Sequence, residues 1–173
     1  MKRTISSLLV ASLLAVIIPV LPVLGAESQD KEDGFTMYDV PLDEGIQHFI
    51  QEKCTETDIP MELVLALIET ESGYREDVVS KTNDYGLMQI NRCNHSWLKR
   101  DLGLEDMLDP RQNITAGMYM LKQHLDKYGD THKALMVYNM GSASASRLWK
   151  QGIYSSKYSR KVVAAAETIK EMH

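Results

Sequence analysis

Apolar positions follow two regimes along the chain. From Ile5 to Leu24, 15 of 20 residues are Ala, Val, Ile or Leu, and none is charged. From Pro41 onward they recur at helical steps instead. Asp43 is placed to cap a helix carrying Ile46, Phe49 and Ile50. A second helix is predicted from Pro60, with Asp58 nearby, and its interior from Leu63 to Ile68 is apolar on every side. Such a helix should run through the core. Asp109 and Pro110 open a third, with Ile114, Met118, Leu121 and Leu125 as its buried stripe and Gly129 as its end. Asp130 caps a further helix through Tyr138, closed near Gly141. The last helix carries Tyr158, Val162, Ala165, Ile169 and Met172. Between Gly73 and Ile90 the periodicity fails, and Ser80, Thr82, Asn83, Asp84 and Gly86 suit a functional loop or short hairpin. The pattern predicts one mainly α domain over residues 41–173.

Lys2 and Arg3 precede the apolar run, and a basic start before such a run reads as a secretory signal. Gly25 and Ala26 offer a cleavage site, which assigns residues 1–26. The competing reading is a membrane anchor through residues 5–24, because about 20 apolar residues can span a bilayer. Pro19 and Pro22 fit the end of a signal better. Glu27 to Asp39 is polar and charged, so residues 27–40 read as a flexible leader. Either reading of the first segment places the remaining chain outside the cytoplasm, in the cell wall, in the periplasm or secreted.

Charge narrows the partners. The net charge is −5, which argues against nucleic acid, since phosphate contacts need clustered Lys and Arg. Export would also let Cys54 and Cys93 pair, a bridge contributing about 4 kcal/mol in the chain-entropy model. Two buried free thiols are the alternative. No CxxC or HExxH spacing occurs, so neither zinc nor another cofactor is expected.

The unusual residue is Glu71, at the end of an otherwise apolar helix and just before Gly73. Partial burial and the negative end of the helix dipole both disfavour its charged form. A carboxyl kept protonated near neutral pH is what a general acid needs. Glu69 lies about 200° round the helix and cannot share that site. Asp84, in a polar turn, should stay ionised and is the candidate second carboxylate.

Glu71-Ser72-Gly73, Ser80 and Gly86-Leu87-Met88-Gln89-Ile90 resemble the bacterial lytic transglycosylases that cleave peptidoglycan. Asn113-Ile114, Gly117, Tyr138-Asn139-Met140-Gly141, and Tyr158 with Val162 continue the resemblance in family order. It implies a lysozyme-like helical fold, the SLT domain, with a single catalytic acid/base at Glu71. It implies further that Ser80 and Gln89 line the sugar groove, that Tyr138 and Asn139 form the opposite wall, and that Tyr158 closes the site. Asn91, Met140 and Glu76 depart from the family pattern, which bears on subsites more than on chemistry.

Residues Asp84 to Asn91 also resemble the strand that carries the second carboxylate of chicken-type lysozymes. The resemblance therefore leaves two enzymatic outcomes. Glu71 alone would give a 1,6-anhydromuramic product, whereas Glu71 with Asp84 would make a hydrolytic muramidase. A third reading is a non-catalytic glycan-binding adaptor of cell-wall or secretion machinery. Peptidoglycan strands are the expected partner, with a secretion or conjugation apparatus as a further one.

Overall fold

Polar side chains start most of the helices. A computed structural model describes residues 34–172, so the apolar run of residues 5–24 and the cut near Ala26 lie outside the described residues. Helix α1 (Glu44–Thr57) begins where the Asp43 carboxylate accepts from the Gly45 amide, and it ends at Asp58 in the left-handed region. Asp58 thus closes α1 rather than opening the next helix. Helix α2 (Met61–Ser72) has Pro60 as its N-cap, one position before the expected start within the helix. Val64 to Ile68 are wholly inaccessible and Leu63 nearly so, as a helix apolar all round requires.

The stretch without periodicity holds a short hairpin. Strand β1 (Asp84–Tyr85) pairs antiparallel with β2 (Ile90–Asn91), Asp84 facing Asn91 and Tyr85 facing Ile90. A 3-10 turn at Arg92–Asn94 leads into α3 (His95–Leu102), a helix the apolar pattern does not predict. Only Leu98 of α3 is buried, so the helix leaves no stripe to read.

Helix α4 (Pro110–Tyr128) starts as expected, with Asp109 accepting from the Gln112 amide at 2.8 Å, and it buries Ile114, Met118 and Leu121. Helix α5 (Thr131–Trp149) is two helical segments that meet at the expected close. Gly141 takes φ 76° and ψ 157°, and the helix resumes beyond it. A glycine tolerates that backbone, so Gly141 is the expected close of one helical segment and the start of a second that the pattern does not predict. Helix α6 (Lys157–Glu171) opens on a capping box between Ser156 and Ser159. Its Val162 and Ile169 are buried, but Met172 lies beyond the helix and is exposed.

Core helix α2 lies along α6, α4 packs on α5 and α1, and α5 packs on α6. The flexible leader expected over residues 27–40 does not reach its end. Tyr38 and Leu42 are buried against the core. Gln47 of α1 accepts from the Tyr38 amide at 3.0 Å and donates to the Tyr38 and Leu42 carbonyls, each at 3.2 Å. One buried amide thus satisfies the backbone of a segment that looks merely polar.

The cysteine bridge is likewise not formed: both thiols are free. Cys54 faces the core from α1, whereas Cys93 is exposed in the 3-10 turn. Burial, followed by the charge of Glu62, pushes the Cys54 thiol up to about 12. Among the described residues, no helix is long and apolar enough to cross a membrane.

Candidate active site

Glu71 lies in the last turn of α2. The helix is enclosed by the core and has α6 alongside, so this carboxyl is only partly open to solvent. Tyr158, in the first turn of α6, donates its hydroxyl to Glu71 Oε1. Burial is the main influence on Glu71 and raises its pKa. The Tyr158 hydrogen bond opposes it, the Asp84 charge adds to it, and Lys161 opposes again. Together they leave the carboxyl at about 7 instead of its ordinary 4.5. At neutral pH it is therefore poised between giving and taking a proton.

Asp84 has the opposite environment. Burial alone would raise it, but Ser80 donates to Oδ2 at 2.6 Å, Thr82 donates to the same oxygen, and Asn91 donates to Oδ1 at 2.7 Å. These donors hold it below the usual carboxylate range. Both carboxyls line one groove of about 620 Å³.

Gln89, Tyr138 and Asn139 line the same groove. Tyr158 joins the site through Glu71, and Ser80 serves it through Asp84 rather than by lining it. Glu69 is exposed on α2, away from the groove lining. The Tyr138 hydroxyl donates to the Met88 carbonyl at 2.9 Å. Burial first, and then the Glu71 charge, raises Tyr138 well above its ordinary value, so it stays a neutral donor.

The loop between the strands is held from below. Gln89 has φ 49°, a left-handed backbone that costs a non-glycine residue about 1 kcal/mol or more. Its side-chain amide donates back to the Gly86 carbonyl at 2.8 Å. Wholly buried Asn113 of α4 accepts from the Met88 amide at 2.7 Å and donates to the carbonyls of Tyr85 and Met107 at 2.7 and 2.8 Å. Gly86 follows from that pin. A Cβ there would stand 2.5 Å from Asn113 Nδ2 and 2.6 Å from the Met107 carbonyl.

Sequence reasoning missed the third wall. Met120, Gln123, His124, Lys127 and Tyr128 of α4 line the groove at one-face helical spacing. The signal was present, one face round from the buried stripe, but a mixed polar face reads as solvent-exposed. Among the described residues, no group of three or more His, Cys, Asp or Glu is placed to hold a metal ion.

Comparison with known proteins fixes the family. The Transglycosylase SLT domain model matches residues 48–161, more than half of the chain. The chain belongs to the transglycosylase SLT domain family. Protein IpgF of Shigella flexneri is 31% identical over 118 residues, covering 64% of this chain and 77% of that protein. A transglycosylase of Enterobacteria phage PRD1 is 32% identical over 100 residues, 58% of this chain but only 36% of the phage protein. The chain thus spans about a third of that relative's length. In structure, this SLT domain resembles the 70 kDa soluble lytic transglycosylase of Escherichia coli. Their TM-score is 0.63 at 18% identity, over 72% of this chain and 24% of that one. A complex of the 70-kDa soluble lytic transglycosylase with bulgecin A gives a TM-score of 0.65 at 20% identity, over 76% of this chain and 24% of that one. The lysozyme-like helical fold expected from the sequence is the fold observed.

Proposed function

We propose that the protein cleaves the β-1,4 bond between N-acetylmuramic acid and N-acetylglucosamine in peptidoglycan, with Glu71 as the only covalent-step acid and base. The observation that carries this reading is the Glu71 carboxyl. It is partly buried, gripped by Tyr158, raised to about 7, and opens on a groove large enough for sugars. Protonated Glu71 gives its proton to the glycosidic oxygen as the bond from the muramyl C1 to that oxygen breaks. The bond's electron pair leaves with the departing sugar, whose oxygen becomes a hydroxyl. The muramyl 6-hydroxyl then attacks C1 and loses its proton to the Glu71 carboxylate, closing the 1,6-anhydro ring. A pKa near the working pH suits one group for both transfers. The export signal and extracytoplasmic site of action belong to the same reading, since peptidoglycan lies there. A secretion or conjugation apparatus is the further partner to test.

Asp84 in the same groove favours a second reading, hydrolysis by two carboxylates. Against it, both Asp84 oxygens already accept side-chain donors. Those donors lower its basicity, which makes it a weaker base for water. Digestion of purified peptidoglycan in heavy-oxygen water separates the two. Internal attack predicts unlabelled muramyl ends, lighter by one water than hydrolysed ones. Reducing ends carrying the heavy oxygen would assign the enzyme as a muramidase.

A further inference from the structure

The α4 wall of the groove takes no part in the chemistry proposed above. Its cation is Lys127, which is exposed and, among the described residues, makes no ion pair. One turn earlier, Lys122 is held by Asp126. The Lys127 ammonium instead stands 5.3 Å over the Tyr128 ring, and Trp149 braces that ring edge-on at 5.0 Å. An aromatic face holds a cation in place without neutralising it.

The groove is otherwise acidic, with Glu71 and Asp84 as its carboxyls. Burial, and then Lys127 itself, holds His124 below its ordinary value, so its ring is neutral at physiological pH. A fixed positive charge within an acidic groove favours a ligand carrying an anion at that wall. The N-acetylated sugar backbone carries no charge. The carboxylates of a peptidoglycan strand sit on the lactyl arm of muramic acid, either as the arm's own acid or on the peptide attached to it.

We propose that Lys127 binds a carboxylate carried on the lactyl arm of muramic acid, with Tyr128 holding the ammonium and Gln123 and His124 beside it. The inference rests on the peptidoglycan reading and adds a wall that distinguishes muramyl strands from chitin-like ones. The SLT chemistry at Glu71 does not require it.

Equilibrium binding tests it, in the full chain carrying Glu71→Gln so that strands stay intact. Three probes suffice: peptide-bearing strands, strands stripped of peptide to leave the lactyl acid, and chitin oligosaccharides with no carboxylate. Lys127→Gln should weaken binding to at least one muramyl probe by roughly five- to tenfold, the scale of one charge-assisted contact, and leave chitin binding unchanged. A loss on peptide-bearing strands alone assigns the carboxylate to the peptide, and a loss on stripped strands assigns it to the lactyl acid. Lys127→Arg should restore most of the affinity. Lys133→Gln, which removes an ammonium stacked on Tyr154 outside the groove, should change nothing. Equal losses on all three probes overturn the proposal. So does unchanged binding with a lowered melting temperature, which would make Lys127 only a partner for the end of α4. If the chain with Lys127 intact binds no muramyl strand, the peptidoglycan reading falls and this proposal with it.

Discussion

Two carboxyls share one groove and are built in opposite ways. Glu71 is carried by a core helix, is partly buried and has one hydroxyl donor, so its pKa rises to about 7. Asp84 is carried by a two-residue strand and receives three side-chain donors, so its pKa falls. The lesson is that burial and donors act together: deeper burial with one donor raises Glu71, and shallower burial with three donors lowers Asp84. One carboxyl is kept as an acid and the other as a fixed charge.

The comparison breaks most visibly at Glu71. Glu71→Gln keeps the shape but has no proton to give, so clearing of purified peptidoglycan should fall by about 10²- to 10⁴-fold in a folded protein. Near-normal clearing would remove Glu71 from the mechanism.

The same substitution should raise stability at alkaline pH. Folded Glu71 holds its proton more tightly than an unfolded glutamate. Its contribution is therefore complete below about 4.5 and is lost as pH rises through about 7. At pH 8 the wild type carries a partly buried ionised carboxylate, a cost on the order of 2–3 kcal/mol. Thermal melts should show Glu71→Gln above the wild type at pH 8, with the gap closing towards pH 5. A gap independent of pH would mean that Glu71 is not the titrating group.

Two smaller changes sharpen the contrast. The Asp84 charge raises Glu71 and the Tyr158 hydroxyl lowers it. Asp84→Asn should shift the alkaline limb of the pH–rate profile to lower pH, and Tyr158→Phe should shift it to higher pH. Each shift should be about one unit or less. On the anhydro reading, Asp84→Asn also keeps substantial activity. Limbs that do not move would show the two carboxyls to be independent.

Much of this contrast was legible in the sequence, because it is local. An acid ending an apolar helix and an acid in a Ser-Thr-Asn turn announce different surroundings. What stayed hidden depends on contacts distant along the chain. The burial of Tyr38 needs Gln47 to satisfy the backbone around it. Helix α3 buries one leucine, and the segment of α5 after Gly141 buries only Ala145. The α4 wall is a polar face whose role comes only from the groove it meets. Periodicity finds what a helix buries, and a binding wall is by nature what it does not bury.

Asn113 carries a consequence of its own. The floor of the groove hangs on the sense of one amide, with its oxygen towards the Met88 amide and its nitrogen towards two carbonyls. Deamidation would exchange that nitrogen for oxygen with almost no change in volume. Two donated bonds would become two oxygen–oxygen contacts around a buried negative charge. The Met88 amide would keep its acceptor, but the two bonds that Asn113 donates would be lost. An acid at this single position would therefore weaken the support beneath the groove loop.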